Sequence, residues 1–124
     1  MRTKPDPLVR PPPHVLVPDG EYRARLVAVV PFTNARGARL GLSYRIEDGP
    51  HAGTVLGQSA ARSASPTGKL AAVLRDLLGR EPTVDELRDG PGSEQIGLAC
   101  RIIVLEECTR SGSRYSEVQQ ATRV

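Results

Sequence analysis

Apolar and polar residues alternate over long stretches of this chain. From Glu21 to Val30, Tyr22, Ala24, Leu26, Ala28 and Val30 share one parity, with Arg23 and Arg25 on the other. That period of two predicts a strand with one buried face. Leu40, Leu42, Tyr44 and Ile46 repeat the pattern over 39–46, with Arg39, Ser43 and Arg45 opposite. Between these runs lies PFTNARGAR, whose Pro31, Asn34 and Gly37 predict a loop. A weaker third strand is expected from Thr54 to Ser59, after the Glu47-Asp48-Gly49-Pro50 turn. The period then changes. Leu70, Val73, Leu74, Leu77 and Leu78 recur at helical spacing, with Ser65-Pro66 as N-cap and first helical residue and Gly79 as terminator. Thr83 and Glu86 have capping-box spacing for a short helix over 83–89, stopped by Gly90-Pro91-Gly92. A fourth strand is predicted from Leu98 to Glu107. Its contiguous Ile102-Ile103-Val104-Leu105 predicts cover on both faces. TRSGSR, from Thr109 to Arg114, reads as a hairpin loop, and Tyr115 to Ala121 as the last strand.

Three strands, a helical insert and two more strands form the order β-β-β-α-β-β. It predicts a mostly β domain, a five-stranded OB-fold barrel with the insert between strands three and four. A β-sandwich or an SH3-like barrel carrying inserted helices is the rival. The domain is expected over 19–124. Residues 1–18 hold six of the eleven prolines and read as a Pro-rich N-terminal arm, either a loosely packed leader or a PxxP ligand for an adaptor.

Composition narrows the class. The 124 residues fit one domain, and no apolar run approaches the ~20 residues of a membrane span. The first residues lack the apolar core of a signal peptide, so a cytoplasmic protein is expected. Cys100 and Cys108 have no CxxC spacing and no neighbouring histidine, and read as buried thiols on or beside an apolar run. No nucleophile elbow, Walker loop, dinucleotide fingerprint or HExxH occurs, so neither an enzyme nor a cofactor is expected. The Gly68-Lys69 step lacks the rest of a phosphate loop and opens a helix.

Charge points to a partner. The net charge is +3, and fifteen of seventeen basic residues are arginine, a bias that suits phosphate and that GC-rich codons would also produce. Placement says more than number. Six arginines face three acids between Glu21 and Arg62, and five acids face Arg88 alone between Glu81 and Glu94. A basic sheet and an acidic insert imply an asymmetric field. On the strand parity, Arg23, Arg25, Arg39 and Arg45 point outward and are expected in one cluster, either a solvated face or a groove tracking a phosphate backbone. The loops that flank the ligand face of such a barrel would be PFTNARGAR, with Arg36 and Arg39, and TRSGSR, with Arg110 and Arg114. Phe32 and Tyr115 border them as base-stacking candidates, or as caps on the barrel core. Tyr22 and Tyr44 share the core parity.

Four stretches carry a family resemblance: PDGEYRARLVAVV, ARLGLSYRIEDGPHAGTVL, SPTGKLAAVLRDLLG and IGLACRIIVLEECTRSGSRYSEVQ. Together they cover about residues 18–120. They resemble the small OB-fold single-stranded-DNA-binding proteins of phages, plasmids and integrative elements. The shared features are the Gly20 and Tyr22 entry to strand one, RIEDGPHAG between strands two and three, the Gly-Lys-Leu helix and a closing Tyr-x-x-Val. The resemblance implies sequence-independent binding of single-stranded DNA in support of replication, recombination or element transfer. Other replication or recombination proteins, and further copies of the chain, are then conceivable partners, with no membrane. The alternatives are an OB-fold protein-interaction module and an RNA binder.

Overall fold

A computed structural model of the chain describes residues 15–124; the greater part of the predicted Pro-rich arm, 1–14, lies outside the described residues. Five strands form one antiparallel sheet: β1 (Gly20–Asn34), β2 (Gly37–Ile46), β3 (Val55–Ala61), β4 (Ala99–Cys108) and β5 (Arg114–Arg123), in the spatial order β3-β2-β1-β4-β5. Two helices, α1 (Lys69–Leu78) and α2 (Val84–Asp89), connect β3 to β4. The mostly β class and the element order match the sequence reading.

The central strand β1 departs from prediction. It does not stop at Val30 but runs through Pro31-Phe32-Thr33 to Asn34, leaving a two-residue turn, Ala35-Arg36, before Gly37. The expected nine-residue loop is therefore mostly strand. Pro31 is tolerated because β4 pairs with β1 only from Gly20 to Arg25, so beyond Leu26 the missing N–H can face a side no strand covers. A bulge at Val27 shifts the register: Leu26 pairs with Tyr44, but Ala28 pairs with Ser43 and Val29 with Leu42. After it Val29, not Val30, packs on the core.

The core has two parts that meet at α1. Leu26, Leu42, Tyr44, Ile46, Leu56, Ile102, Val104 and Leu77 fill the larger one, and Leu40, Ala60, Leu70, Leu74, Leu78 and Leu87 the smaller. Strand β4 corrects a second expectation. Ile102 and Val104 are fully buried, whereas Ile103 and Leu105 are 39% and 44% exposed, so only one face is covered. The one buried phenol, Tyr44, donates to Gln58 Oε1 at 2.9 Å, and Gln58 Nε2 donates to the Gln119 carbonyl at 3.2 Å. Gln119 is the extra residue of a second bulge, opposite the Ile103-Val104 step. Its carbonyl thus finds a partner outside the ladder, and the bond ties the two outer strands, β3 and β5, together.

The helix ends follow local chemistry. Thr83 and Glu86 form the expected capping box, with bonds of 3.1 and 2.9 Å. Gly79 ends α1 in the left-handed conformation (φ 70°) and donates to the Arg75 carbonyl. At its start α1 differs from expectation. Gly68 is the N-cap, because Ser65 Oγ accepts from the Thr67 N–H and closes a separate turn over Pro66. The described end of the predicted arm is tied to the sheet as well. Val17 is buried in the larger core, the Ser116 N–H donates to the Val15 carbonyl at 2.8 Å, and Ser116 Oγ bonds both polar groups of the Val17 backbone.

Candidate nucleic-acid interface

Because Leu40, Leu42, Tyr44 and Ile46 turn into the core, Arg39, Gly41, Ser43 and Arg45 take the opposite face of β2, which is itself buried at Ser43. Pairing extends the first three into rows across three strands: Phe32–Arg39–Ala61, Val30–Gly41–Ser59 and Ala28–Ser43–Gly57. The side chains along it are small, and Ala28 and Ser43 in its middle are buried, so the accessible part is the end that carries Phe32 and Arg39. At one end stands Phe32, half-buried, with its ring over Gly41: a Cβ there would lie 3.2 Å from Phe32 Cε1. Arg39 Nη2 donates to Ser59 Oγ at 3.2 Å, which leaves its other donors for a ligand.

The β1–β2 turn and the start of β5 converge on this end. The Asn34 carboxamide accepts from the Arg36 N–H at 2.9 Å and fixes the turn, while the Arg36 side chain is exposed. The Arg36 charge acts on Tyr115, and those of Lys69 and Arg39 act on Glu117. Burial pushes the Tyr115 phenol up, and the Glu117 and Glu107 carboxylates push it further. Burial raises Glu117 in the same way, with Glu107 adding to it. Phe32, Arg36, Arg39 and Tyr115 therefore share one electrostatic neighbourhood. Lys69 and Glu117 belong to it too. Sequence reasoning missed both, since no local signal ties the first residue of a helix to a strand nearly fifty positions later.

The other predicted residues are placed differently. Arg110 lies exposed in the Thr109–Ser113 turn, with no side-chain partner among the described residues. Arg114 is not in that loop but opens β5, where both Glu106 oxygens hold it at 2.9 and 2.6 Å. Its guanidinium keeps the Glu106 carboxyl below the usual range. Arg23, Arg25 and Arg45 form a second group, six residues and roughly 20 Å along β2 from Arg39. There Glu47 takes Arg25 at 2.6 Å and Arg45 at 3.4 Å, and Arg25 also donates to the Gly97 carbonyl. A cavity of about 260 Å³ opens beside them, lined by Arg23, Arg25, Glu47 and Asp48. The single arginine cluster expected from strand parity is thus two groups, at opposite ends of β2.

The field asymmetry is also smaller than expected. Arg62 donates to the Arg88 carbonyl and lies 3.7 Å from Asp89. Arg75 pairs with Glu81, Arg80 with Glu86, and Arg88 with Asp85, so most acids of the insert are neutralised locally. The side chains of Arg23, Arg36 and Arg110 have no hydrogen-bond or ion-pair partner among the described residues. No helix among those residues is long and apolar enough to cross a membrane. No family model matches the chain, and no curated protein matches it.

Proposed function

We propose that the chain is an OB-type barrel that binds single-stranded DNA without sequence preference, in support of replication, recombination or transfer of a mobile element or phage. Three features support the barrel reading. The strand order is that of the fold, the helices enter between β3 and β4, and the Gln58–Gln119 bond draws the outer strands together.

One observation carries the ligand. Phe32 and Arg39 form one row on the outer face of β1 and β2, beside Tyr115 and an Arg36 free to bind phosphate. An aromatic face accepts any base, and a cation beside it takes the phosphate that follows; this pairing makes binding sequence-tolerant. In this reading Phe32 and Tyr115 stack bases while Arg36, Arg39 and Arg110 hold phosphates. Arg23, with Arg25 and Arg45, offers a second phosphate site at the far end of β2. Arg114 is committed to Glu106 and contributes least.

The test is fluorescence anisotropy with a labelled 30-mer of dT at two salt concentrations, with duplex DNA and the matching RNA as competitors. Log K is expected to fall with log salt by about 0.7 per phosphate neutralised. Arg39→Glu weakens all sequences alike, and Phe32→Ala costs roughly 1–3 kcal/mol. Absence of binding at low salt, or unchanged affinity in both variants, would refute the groove and leave the protein-interaction reading. Preferential competition by RNA would reassign the ligand.

A further inference from the structure

The exposed face of β4 carries a pattern that the proposed interface does not use. Its outward residues are Arg101, Ile103, Leu105 and Glu107: cation, apolar, apolar, anion, each about 6.7 Å from the next. Register sets their neighbours. Arg23 of β1 lies beside Arg101, while on β5 Gln120 lies beside Ile103, Glu117 beside Leu105 and Tyr115 beside Glu107. Arg101 has one partner among the described residues, Glu21 at 3.5 Å, and both side chains are 57% exposed, so that pair holds it weakly.

We infer that this face is the interface of a homodimer in which two β4 strands pack face to face and antiparallel. A two-fold axis in the plane between the sheets, perpendicular to the strands, sets Arg101 against Glu107 of the second copy and Ile103 against its Leu105. The interface is isologous, so each complementary contact occurs twice. On the β5 flank Glu117 meets Gln120 of the second copy and no acid; on the β1 flank Glu21 lies beside Ile103 and is paired with Arg101 of its own chain. The parallel arrangement would set Arg101 on Arg101 and Glu107 on Glu107, so charge selects the antiparallel one. Within its own chain Glu107 accepts one hydrogen bond, from Gln119 Nε2 at 3.2 Å, and has no ion-pair partner among the described residues, so an opposing arginine would be its first. Packing closes over two exposed aliphatic side chains and leaves the Phe32–Arg39 pair outside it, while Tyr115 and Arg23, beside Glu107 and Arg101, stand at its edges. The dimer does not depend on the DNA reading.

The interface is small, so a micromolar dissociation constant is expected. Sedimentation velocity from about 5 to about 500 µM should show monomers converting to dimers, without nucleic acid. Arg101→Glu and Glu107→Arg should each weaken association by roughly tenfold or more. An equimolar mixture of the two variants should associate again, since each then meets opposite charge at both ends. The double variant, with the charges exchanged in one chain, should dimerise like the wild type. Ile103→Ser, an exposed change that leaves the charges intact, should also weaken the dimer; circular dichroism verifies the fold of each variant. A wild type that stays monomeric over this range overturns the inference. So do single variants that associate normally, or a mixture that stays monomeric.

Discussion

Gly90 joins the helical insert to the sheet, and replacing it with alanine tests whether that junction is as tight as it appears. Two independent penalties act there. The residue has φ 87° and ψ 172°, a combination essentially confined to glycine, for which a side chain costs about 1–3 kcal/mol. A Cβ would also stand 2.9 Å from Val29 Cγ1 and 3.1 Å from both Leu40 methyls, where Leu40 is fully buried. Such overpacking costs about 1–3 kcal/mol. Loss of chain entropy in the unfolded state returns about 0.4–1 kcal/mol. Gly90→Ala is therefore expected to lose about 3 kcal/mol, a large share of the ~5–15 kcal/mol typical of a domain. Gly79→Ala is the control. It shares the positive φ, but its nearest neighbour is the flexible Arg123 side chain at 3.3 Å, so about 1 kcal/mol is expected. Urea titration of the wild type and both variants measures the difference at constant m-value. Equal losses in the two variants would refute the close approach of Gly90 to the sheet and leave backbone strain alone.

Two further outcomes follow from buried titratable groups. Hydrogen bonds from Arg80 hold the Glu86 carboxyl down at about 2, against an ordinary 4.5, with the Thr83 backbone adding to them. A depressed folded pKa stabilises above the unfolded value and loses that effect as pH falls from 4.5 toward 2. Glu86→Gln should cost about 2 kcal/mol at pH 7, discounted because Arg80 is half exposed. Its urea midpoint should converge on the wild type near pH 2, and a gap that persists there would refute the ion-pair origin. Of the two cysteines expected to be buried, Cys108, the last residue of β4, is exposed, whereas burial pushes the Cys100 thiol up to about 11. A thiol reagent at pH 8 should therefore label one cysteine quickly and the second only in denaturant; rapid double labelling would contradict the packing of β4 against β1.

Elements set by period and by caps were legible in the sequence. The parity of β2 located its core face, and Thr83 with Glu86 announced α2, because both signals are local. What escaped was tertiary. Pro31 and Asn34 argued for a loop, and only the absence of a second partner strand beyond Leu26 explains why the ladder continues through them. The Val27 bulge altered which residues share a face without marking the sequence. The contiguous apolar run of β4 looked doubly covered, and no local pattern distinguishes a covered face from one left open. The candidate site was legible as a set of residue types, but the pairing of Phe32 with Arg39 across β1 and β2 was not, because Phe32 read as part of a loop. It was not legible as a geometry, because Arg39 and Arg45 share a parity and still stand at opposite ends of a strand. The capture of Arg25 and Arg45 by Glu47 likewise depends on folding.

The division of β1 between two partners shapes how the chain must fold. Its second half joins β2 through a two-residue turn, and β4 joins β5 through a short one, so both hairpins form from near neighbours. Its first half, Gly20–Arg25, pairs with Ala99–Val104, roughly 80 residues away along the chain. That seam closes only after the intervening helices have brought β4 back. The slow event is then the docking of two preformed hairpins, and the entropy of the segment between them sets its rate. Because closure entropy grows only with the logarithm of loop length and is lost in the transition state and the native state alike, shortening the Ser63–Gly68 connection should change folding rate and stability together, by well under about 1 kcal/mol.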